Sequence, residues 1–188
     1  MRARRLSAAL GGREVEFFGE VWEMSRKPPL ILPVVSLSAE YLTIGHLMRR
    51  NILTYKAPPN NEGYDLICIH PNPKKVSKQI RVQVKSRYQT DCDRAFPVKE
   101  RAFDAFDYLV IVFLNIGYFY GRECSPSGMT EPEFYTLPNE FIRKHHHKVK
   151  SGFDRVLTKN LDMEAFKNER GFELIAKELG VDYPSRAA

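Results

Sequence analysis

An aspartate and a Gln-x-Lys segment about twenty residues after it are the residues whose types and spacing could do chemistry. Asp65 opens the apolar stretch 65–69, and Gln83, Val84 and Lys85 lie within a second apolar stretch over 80–87. An acid, a neutral oxygen ligand and an amine brought together on a sheet can hold a divalent cation beside an activated water. That combination is suited to hydrolysing a phosphodiester bond.

The second stretch predicts a strand with one apolar face. Side chains alternate between the two faces of a strand, so Gln83 and Lys85 would lie together on the face opposite the apolar residues. A half-solvated strand whose polar face has no function also explains this alternation. A hairpin would bring Asp65 opposite Gln83 and Lys85, although an aspartate at the start of a strand is also a common turn residue.

Glu40 is a second candidate acid, and it lies on a predicted helix over 36–50. Ile44 and Leu47 follow it by four and seven residues, so the carboxylate would lie on or beside the apolar side of the helix. There it costs free energy unless it is paired or bound to a metal. A carboxylate in the first turn is also stabilised by the helix dipole without any metal. The helix is predicted from a cap at Ser36 or Ser38, from apolar residues at Leu37, Tyr41, Ile44, Leu47 and Met48, and from an end at Asn51.

The order of the remaining elements indicates an α/β (α+β) protein with a central mixed β-sheet flanked by helices. We expect an N-terminal arm over 1–35, a core over 36–150 and a C-terminal helical extension over 151–188. The predicted strands cover 52–56, 64–70, 79–86, 106–114, 118–120 and 134–137, and the later helices cover 138–147 and 163–179, the last one ended by Gly180. The apolar run over 106–114 predicts a strand covered on both faces.

Composition indicates one globular domain with an anionic partner. The chain has 188 residues, 43% of them hydrophobic, with 12 Phe and 9 Tyr. The net charge of +6 favours nucleic acid, although an ordinary soluble protein can carry it. Three cysteines without a CxxC spacing suggest neither a disulfide framework nor a zinc site, which fits a reducing cytoplasm. Neither a signal peptide nor an apolar run of membrane-spanning length, about 18 residues, is predicted.

Together, Glu40, Asp65 and the Gln83-Val84-Lys85 segment resemble the PD-(D/E)xK nuclease superfamily, which has the restriction-endonuclease-like fold. In that fold a leading helix with a Glu packs beside a hairpin that carries an Asp and then (D/E/Q)xK. The resemblance spans about residues 36–115. Gln at the third position is similar to Mrr-type and archaeal Holliday-junction-resolvase-like members.

The resemblance implies a metal-dependent endodeoxyribonuclease that uses Mg²⁺, with Mn²⁺ as a substitute. It implies that Asp65 ligates the metal directly, while Gln83 offers its side-chain carbonyl and Val84 its backbone carbonyl. Glu40 would bind the metal directly or through water, and Lys85 would orient the attacking water and help to deprotonate it. Because Gln83 stands where relatives have an acid, we expect weak metal binding without DNA and tighter binding with it.

Basic residues around the hairpin are candidate phosphate contacts. The candidates are Lys74, Lys75, Lys78, Arg81 and Arg87, with Arg94, Lys99 and Arg101 nearby in sequence. A solvated loop is the alternative interpretation. A homodimer is one expectation, because double-strand cleavage by a chain with one site usually needs two subunits.

Three functions stay open at this point. The first is a Mg²⁺-dependent DNA endonuclease, and the second is a catalytically inactive DNA-binding or structural module of the same fold. A phosphodiesterase acting on RNA or a small molecule is the third. Other candidate groups carry a weaker signal: Cys92 has no placed base, and contiguous residues of the helical segment 145–147 cannot converge on one metal. Asp107 could support the metal ligands from behind, but we expect it to be a strand-edge acid. We expect this histidine segment to be a solvated or phosphate-contacting helix end.

Overall fold

A five-stranded mixed sheet forms the centre of the protein, described here from a computed structural model for residues 34–58, 61–90, 94–119, 122–123, 130–148 and 154–182. The strands are β1 (Leu53–Lys56), β2 (Leu66–Ile69), β3 (Ile80–Arg87), β4 (Ala95–Pro97), β5 (Tyr108–Phe113), β6 (Tyr118–Phe119), β7 (Arg122–Glu123), β8 (Glu133–Pro138), β9 (His146–His147) and β10 (Arg155–Leu157). The helices are α1 (Val35–Met48), α2 (Asn139–Lys144) and α3 (Asn168–Leu179). The predicted arm over 1–35 lies outside the described residues except for its last two.

The central sheet has the order β1-β2-β3-β5-β8, and β3 pairs with β5 in parallel while the other neighbours are antiparallel. All six residues of β5 are buried, because layers of structure cover both faces of this strand. In β3 the residues at 80, 82 and 84 are buried and those at 81, 83 and 85 are less so. The predicted mixed sheet and the predicted alternation along β3 are both confirmed.

Helices α1 and α3 cover one face of the sheet. Ala39 and Leu47 of α1 join Phe172 and Ile175 of α3 in a cluster with the even-numbered residues of β2 and β3. Residues 154–182, expected as an extension of the core, therefore contribute β10 to the second face and α3 to this cluster. None of the described helices is long and apolar enough to cross a membrane.

The face that α1 buries differs from the predicted one. Its buried residues are Ala39, Thr43 and Leu47, whereas Tyr41 is 57% and Met48 is 49% exposed. A helix that packs with small side chains can lie close to a sheet. The buried residues of α1 recur every four positions, but two of the three are small, so a pattern of large apolar residues did not predict this face. The predicted serine caps are also wrong, since no side chain caps the helix at Val34 and the Ser38 hydroxyl donates to the Val35 carbonyl at 2.7 Å. Asn51, with φ of 63°, ends the helical segment as predicted.

A second layer covers the other face of the central sheet, and of its elements the sequence predicted α2, within 138–147, but not the others. It consists of α2, a short 3₁₀ helix over Glu100–Ala105 and the three-stranded sheet β4-β10-β9. Its buried side chains pack on the odd-numbered residues of β5. They include Phe96, Val98, Phe103, Phe106, Ile142, Val156 and Met163.

Two predicted helices are shorter in the structure. Helix α2 ends at Lys144 and His146 turns inward in β9, where its Nε2 lies 2.9 Å from the Val98 carbonyl oxygen. The expected solvated helix end at the histidine segment is therefore wrong for His146. Helix α3 begins at Asn168, because the preceding residues Glu164–Phe166 form a 3₁₀ turn. Gly180, with φ of 68°, ends α3 as predicted.

Candidate active site

Asp65 is held at the start of β2 by backbone bonds to both neighbouring strands. Gly63, with φ of 99°, turns the chain into this strand, a conformation that favours glycine. The Asp65 amide donates to the Val82 carbonyl at 2.8 Å, and the Asp65 carbonyl accepts from the Ala57 amide at 2.8 Å. One carboxylate oxygen, Oδ2, accepts from the Val84 amide at 2.7 Å. The carboxylate is thus fixed against the residue between Gln83 and Lys85, as the hairpin prediction requires.

Gln83 and Lys85 line one cleft of about 510 Å³ between β3 and the second layer. Glu62, Lys99 and Arg101 supply the other charged groups of its walls. The Gln83 Oε1 atom is buried and has no hydrogen-bond partner within the described part of the chain. A buried carbonyl oxygen left without a partner costs about 1–3 kcal/mol, so a bound ligand would satisfy it.

Burial shifts the pKa values of Asp65 and Lys85 in opposite directions. It raises the pKa of the Asp65 carboxyl, and the nearby Glu40 charge raises it further, although the Val84 amide, Lys85 and Lys56 oppose the shift. Burial also lowers the pKa of the Lys85 ammonium, helped by Arg87 and opposed by Asp65. Both shifts favour the neutral forms, as is common for acid and base groups in active sites.

Glu40 reaches the same end of the sheet from α1, where it forms an ion pair that the sequence did not predict. The Lys56 Nζ atom lies 2.6 Å from Glu40 Oε2, and the Glu40 side chain is only 17% exposed. This hydrogen bond raises the pKa of Lys56. The sequence predicted only the strand over 52–56 that ends at Lys56, and the β1–β2 register pairs this residue with Leu66, directly beside Asp65.

The oxygen atoms near Asp65 fit a hard divalent cation. Asp65 uses one carboxylate oxygen to accept from Val84, and Gln83 Oε1 is unpartnered within the described residues. Mg²⁺ prefers such oxygen ligands and keeps several waters. In the described ranges no group of three or more His, Cys, Asp or Glu side chains could hold a metal. A cation here would therefore need amide or backbone oxygens and substrate oxygens as well as carboxylates.

The predicted phosphate contacts are spread over the molecule. Lys74 and Lys75 lie on the β2–β3 connection, at the opposite end of the hairpin from Asp65. Lys78 pairs with Glu178 of α3 at 3.0 Å. Arg87 lies over the Phe96 ring, 4.5 Å from its centroid, and donates to the Ser86 carbonyl at 2.9 Å. The site therefore does not gather these cations around Asp65, and the basic residues that line the cleft are Lys85, Lys99 and Arg101.

Arg81 has a structural partner in Asp107. Its amide and its guanidinium donate to the Asp107 carboxylate at 2.7 and 2.9 Å. Burial would raise the pKa of Asp107, but these hydrogen bonds hold it below its ordinary value. Asp107 is therefore the strand-edge acid that the sequence suggested. A second cleft of about 580 Å³ surrounds this pair, and there Arg143 binds Asp104 at 2.6 Å.

Helix α1 packs beside the β2–β3 hairpin that carries Asp65 and the Gln83-Val84-Lys85 segment, as the resemblance implied. No family model and no curated protein matches the chain. Two nucleases are among the solved structures that are similar to it. One is the bacterial homing endonuclease I-Ssp6803I, with 16% identity and a TM-score of 0.46 over 78% of this chain and 92% of that one. The other is Hjc, a Holliday junction resolvase from the archaeal hyperthermophile Archaeoglobus fulgidus, with 10% identity and a TM-score of 0.39 over 79% of this chain and 98% of that one.

Proposed function

We propose that the protein is a Mg²⁺-dependent nuclease that hydrolyses DNA phosphodiester bonds, with Mn²⁺ able to replace Mg²⁺. The observation that carries the proposal is the buried Gln83 Oε1, which has no hydrogen-bond partner in the described part of the chain and lies in the same cleft as Lys85, beside the fixed Asp65 carboxylate. An acid and an amide oxygen can hold a divalent cation, and an amine beside them can orient the attacking water.

Asp65, Gln83 and the Val84 carbonyl would hold the cation, and Glu40 would join them directly or through water. When bound, the cation would lower the pKa of a water and offset charge on the phosphate. Lys85 would orient that water. Because burial lowers the pKa of Lys85, its neutral form is more accessible than that of an exposed lysine and can accept a proton from the water.

DNA is the proposed substrate because the cleft has a basic rim. Lys99 and Arg101 are exposed on its wall, and the chain carries a net charge of +6. A phosphate backbone on this rim would place one phosphate near Asp65. Lys74, Lys75 and Lys78 are proposed only as outer contacts, because they lie on the far connection of the hairpin.

Plasmid, single-stranded and branched DNA incubated with Mg²⁺ or Mn²⁺ test the proposal. Wild type should nick or cut at least one of them, and Asp65→Asn and Lys85→Ala should each lower the rate by about a hundredfold or more, as expected for groups that act at the reacting centre. Asp182→Asn and Lys177→Ala are matched controls, because both side chains are exposed and lie away from the cleft. Cleavage that survives both site substitutions would overturn the proposal.

A catalytically inactive DNA-binding module of the same fold is the second candidate. The ion pair between Lys56 and Glu40 favours it, because it satisfies one acid without a metal. This alternative predicts that wild type binds DNA but cleaves none of the substrates with either metal. Duplex affinity measured by fluorescence anisotropy, beside the cleavage assay, separates the two functions.

A further inference from the structure

The ion pair between Lys56 and Glu40 lies next to the proposed metal site. Lys56 comes from the edge strand β1 and Glu40 from α1, and their charged atoms are 2.6 Å apart. The Lys56 ammonium also lies 5.4 Å from the centroid of the Tyr41 ring. Glu40 is mostly buried, whereas the Lys56 side chain is 37% exposed. The lysine can therefore move into solvent more easily than the acid can.

Two acids and two lysines influence one another at this site. The charge of Glu40 helps to raise the pKa of the Asp65 carboxyl, whereas Lys85 and Lys56 oppose that rise. A divalent cation that approaches the Glu40 carboxylate would be repelled by the Lys56 ammonium 2.6 Å from it, and removal of Lys56 would remove that repulsion.

Resting on the function proposed above, we propose that Lys56 is an exchangeable counter-ion: it holds Glu40 until a metal takes that carboxylate, and then pairs with a substrate phosphate. The lysine has a flexible four-carbon stem, so its ammonium can leave Glu40 without a change in the backbone. The exchange links the two ligands, because metal frees Lys56 for DNA and DNA holds Lys56 away from Glu40. Lys56 is thus a positioning residue that makes metal binding depend on substrate.

Binding of Mn²⁺ alone, followed by electron paramagnetic resonance without DNA, tests this exchange. Lys56→Met should bind Mn²⁺ about three- to tenfold more tightly than wild type, the range expected when a partly exposed cation is removed. Lys56→Arg, which keeps the charge, should bind as wild type does. Lys177→Met is the control for loss of an exposed lysine elsewhere. Lys56→Gln serves as a second neutral variant if Lys56→Met does not fold.

The increase in Mn²⁺ affinity that Lys56→Met causes must also depend on Glu40. In a Glu40→Gln background, Lys56→Met should change Mn²⁺ affinity by less than twofold, because the acid that Lys56 neutralises is gone. Unchanged Mn²⁺ affinity in both neutral Lys56 variants, while Asp65→Asn weakens binding, would overturn the exchange alone. Equal Mn²⁺ affinity in wild type and Asp65→Asn would instead overturn the metal site and with it the proposed function.

Discussion

Lys85 and Asp65 carry opposite charges in surroundings that disfavour the charged form of each. Burial lowers the pKa of Lys85 and raises that of Asp65, even though the two attract each other. A charged group whose burial is only partly compensated lowers the stability of the folded state. The protein would retain such a pair for its chemistry, since functional sites often cost stability.

Replacing Lys85 by methionine should therefore stabilise the metal-free protein while it removes activity. The folded pKa of Lys85 is lowered, so the cost of its charge is present below that pKa and disappears as the pH rises towards the ordinary lysine value. We expect Lys85→Met to raise the melting temperature by about 2–4 °C at pH 7, corresponding to roughly 1 kcal/mol. Thermal unfolding at pH 7 and at about pH 10 measures the effect, which should be smaller at the higher pH.

Lys177→Met provides the matched control, because this lysine is exposed on α3. It should change the unfolding free energy by less than about 0.5 kcal/mol at either pH. A lower melting temperature for Lys85→Met at pH 7 would mean that the ion attraction to Asp65 outweighs burial.

The positions of Asp65, Gln83 and Lys85 could be predicted from the sequence, because strand alternation and hairpin pairing are local rules. The contact between Lys56 and Glu40 could not, since it depends on the angle at which α1 crosses β1. Gln83 Oε1, which has no hydrogen-bond partner among the described residues, lies in a cleft whose other wall includes residues of β4 and of the 3₁₀ helix Glu100–Ala105, and the sequence predicted neither element. The proposed roles of the individual residues stay predictions.

At the scale of elements, Gly171 of α3 lies close both to Thr136 of β8 and to Phe166 before the helix. An added Cβ there would overlap the Phe166 carbonyl and lie 3.0 Å from the Thr136 Cβ. The obstacle includes backbone, which cannot move aside without shifting the 3₁₀ turn before α3. The glycine therefore lets α3 pack onto the sheet.

Gly171→Ala should accordingly lower the free energy of unfolding by about 1–3 kcal/mol, the usual cost of overpacking. Gly45→Ala is the matched control, because nothing lies within 4 Å of an added Cβ on that helix. The control should instead raise stability by about 0.5–1 kcal/mol, as alanine is favoured over glycine in a helix. Urea unfolding of both variants checks the pair, and equal effects would contradict the close approach at Gly171.

The longer elements were predictable and the short ones were not. Strand β5 is a continuous apolar run and β3 an alternating one, so each carries its own signal. Strands β4, β9 and β10 have two or three residues each, too few for a period to show. Their pairing is set by tertiary contacts, which is why the wall of the cleft was missing from the sequence-based prediction.

For the molecule as a whole, the position of the cations decides how DNA would lie. Lys99 and Arg101 line the cleft that holds Gln83 and Lys85. Lys74 and Lys75 lie on the connection after β2, and the length of that strand separates them from Asp65. At about 3.3 Å per residue, that connection is on the order of 15–20 Å from the site.

Removing the charges of Lys99 and Arg101 should therefore weaken duplex binding more than removing the charges of Lys74 and Lys75. For Lys99→Ala with Arg101→Ala we expect a loss of about tenfold or more in affinity and a salt slope reduced by about 1–2. Lys74→Ala with Lys75→Ala removes the same charge and is the matched comparison, expected to lose less than about threefold. Anisotropy titrations at several salt concentrations measure the affinity and the salt slope of both double variants. A larger loss of affinity in the Lys74 and Lys75 double variant would contradict the proposed path of the DNA.

Anomalous diffraction from crystals grown with Mn²⁺ and a DNA duplex tests the proposed metal site most directly. The proposal predicts an anomalous peak at coordination distance from the Asp65 carboxylate and Gln83 Oε1, with Lys85 facing a metal-bound water and a DNA phosphate completing the coordination. A duplex bound along the cleft with no peak at Asp65, or a peak that leaves Gln83 Oε1 without a ligand, would contradict it.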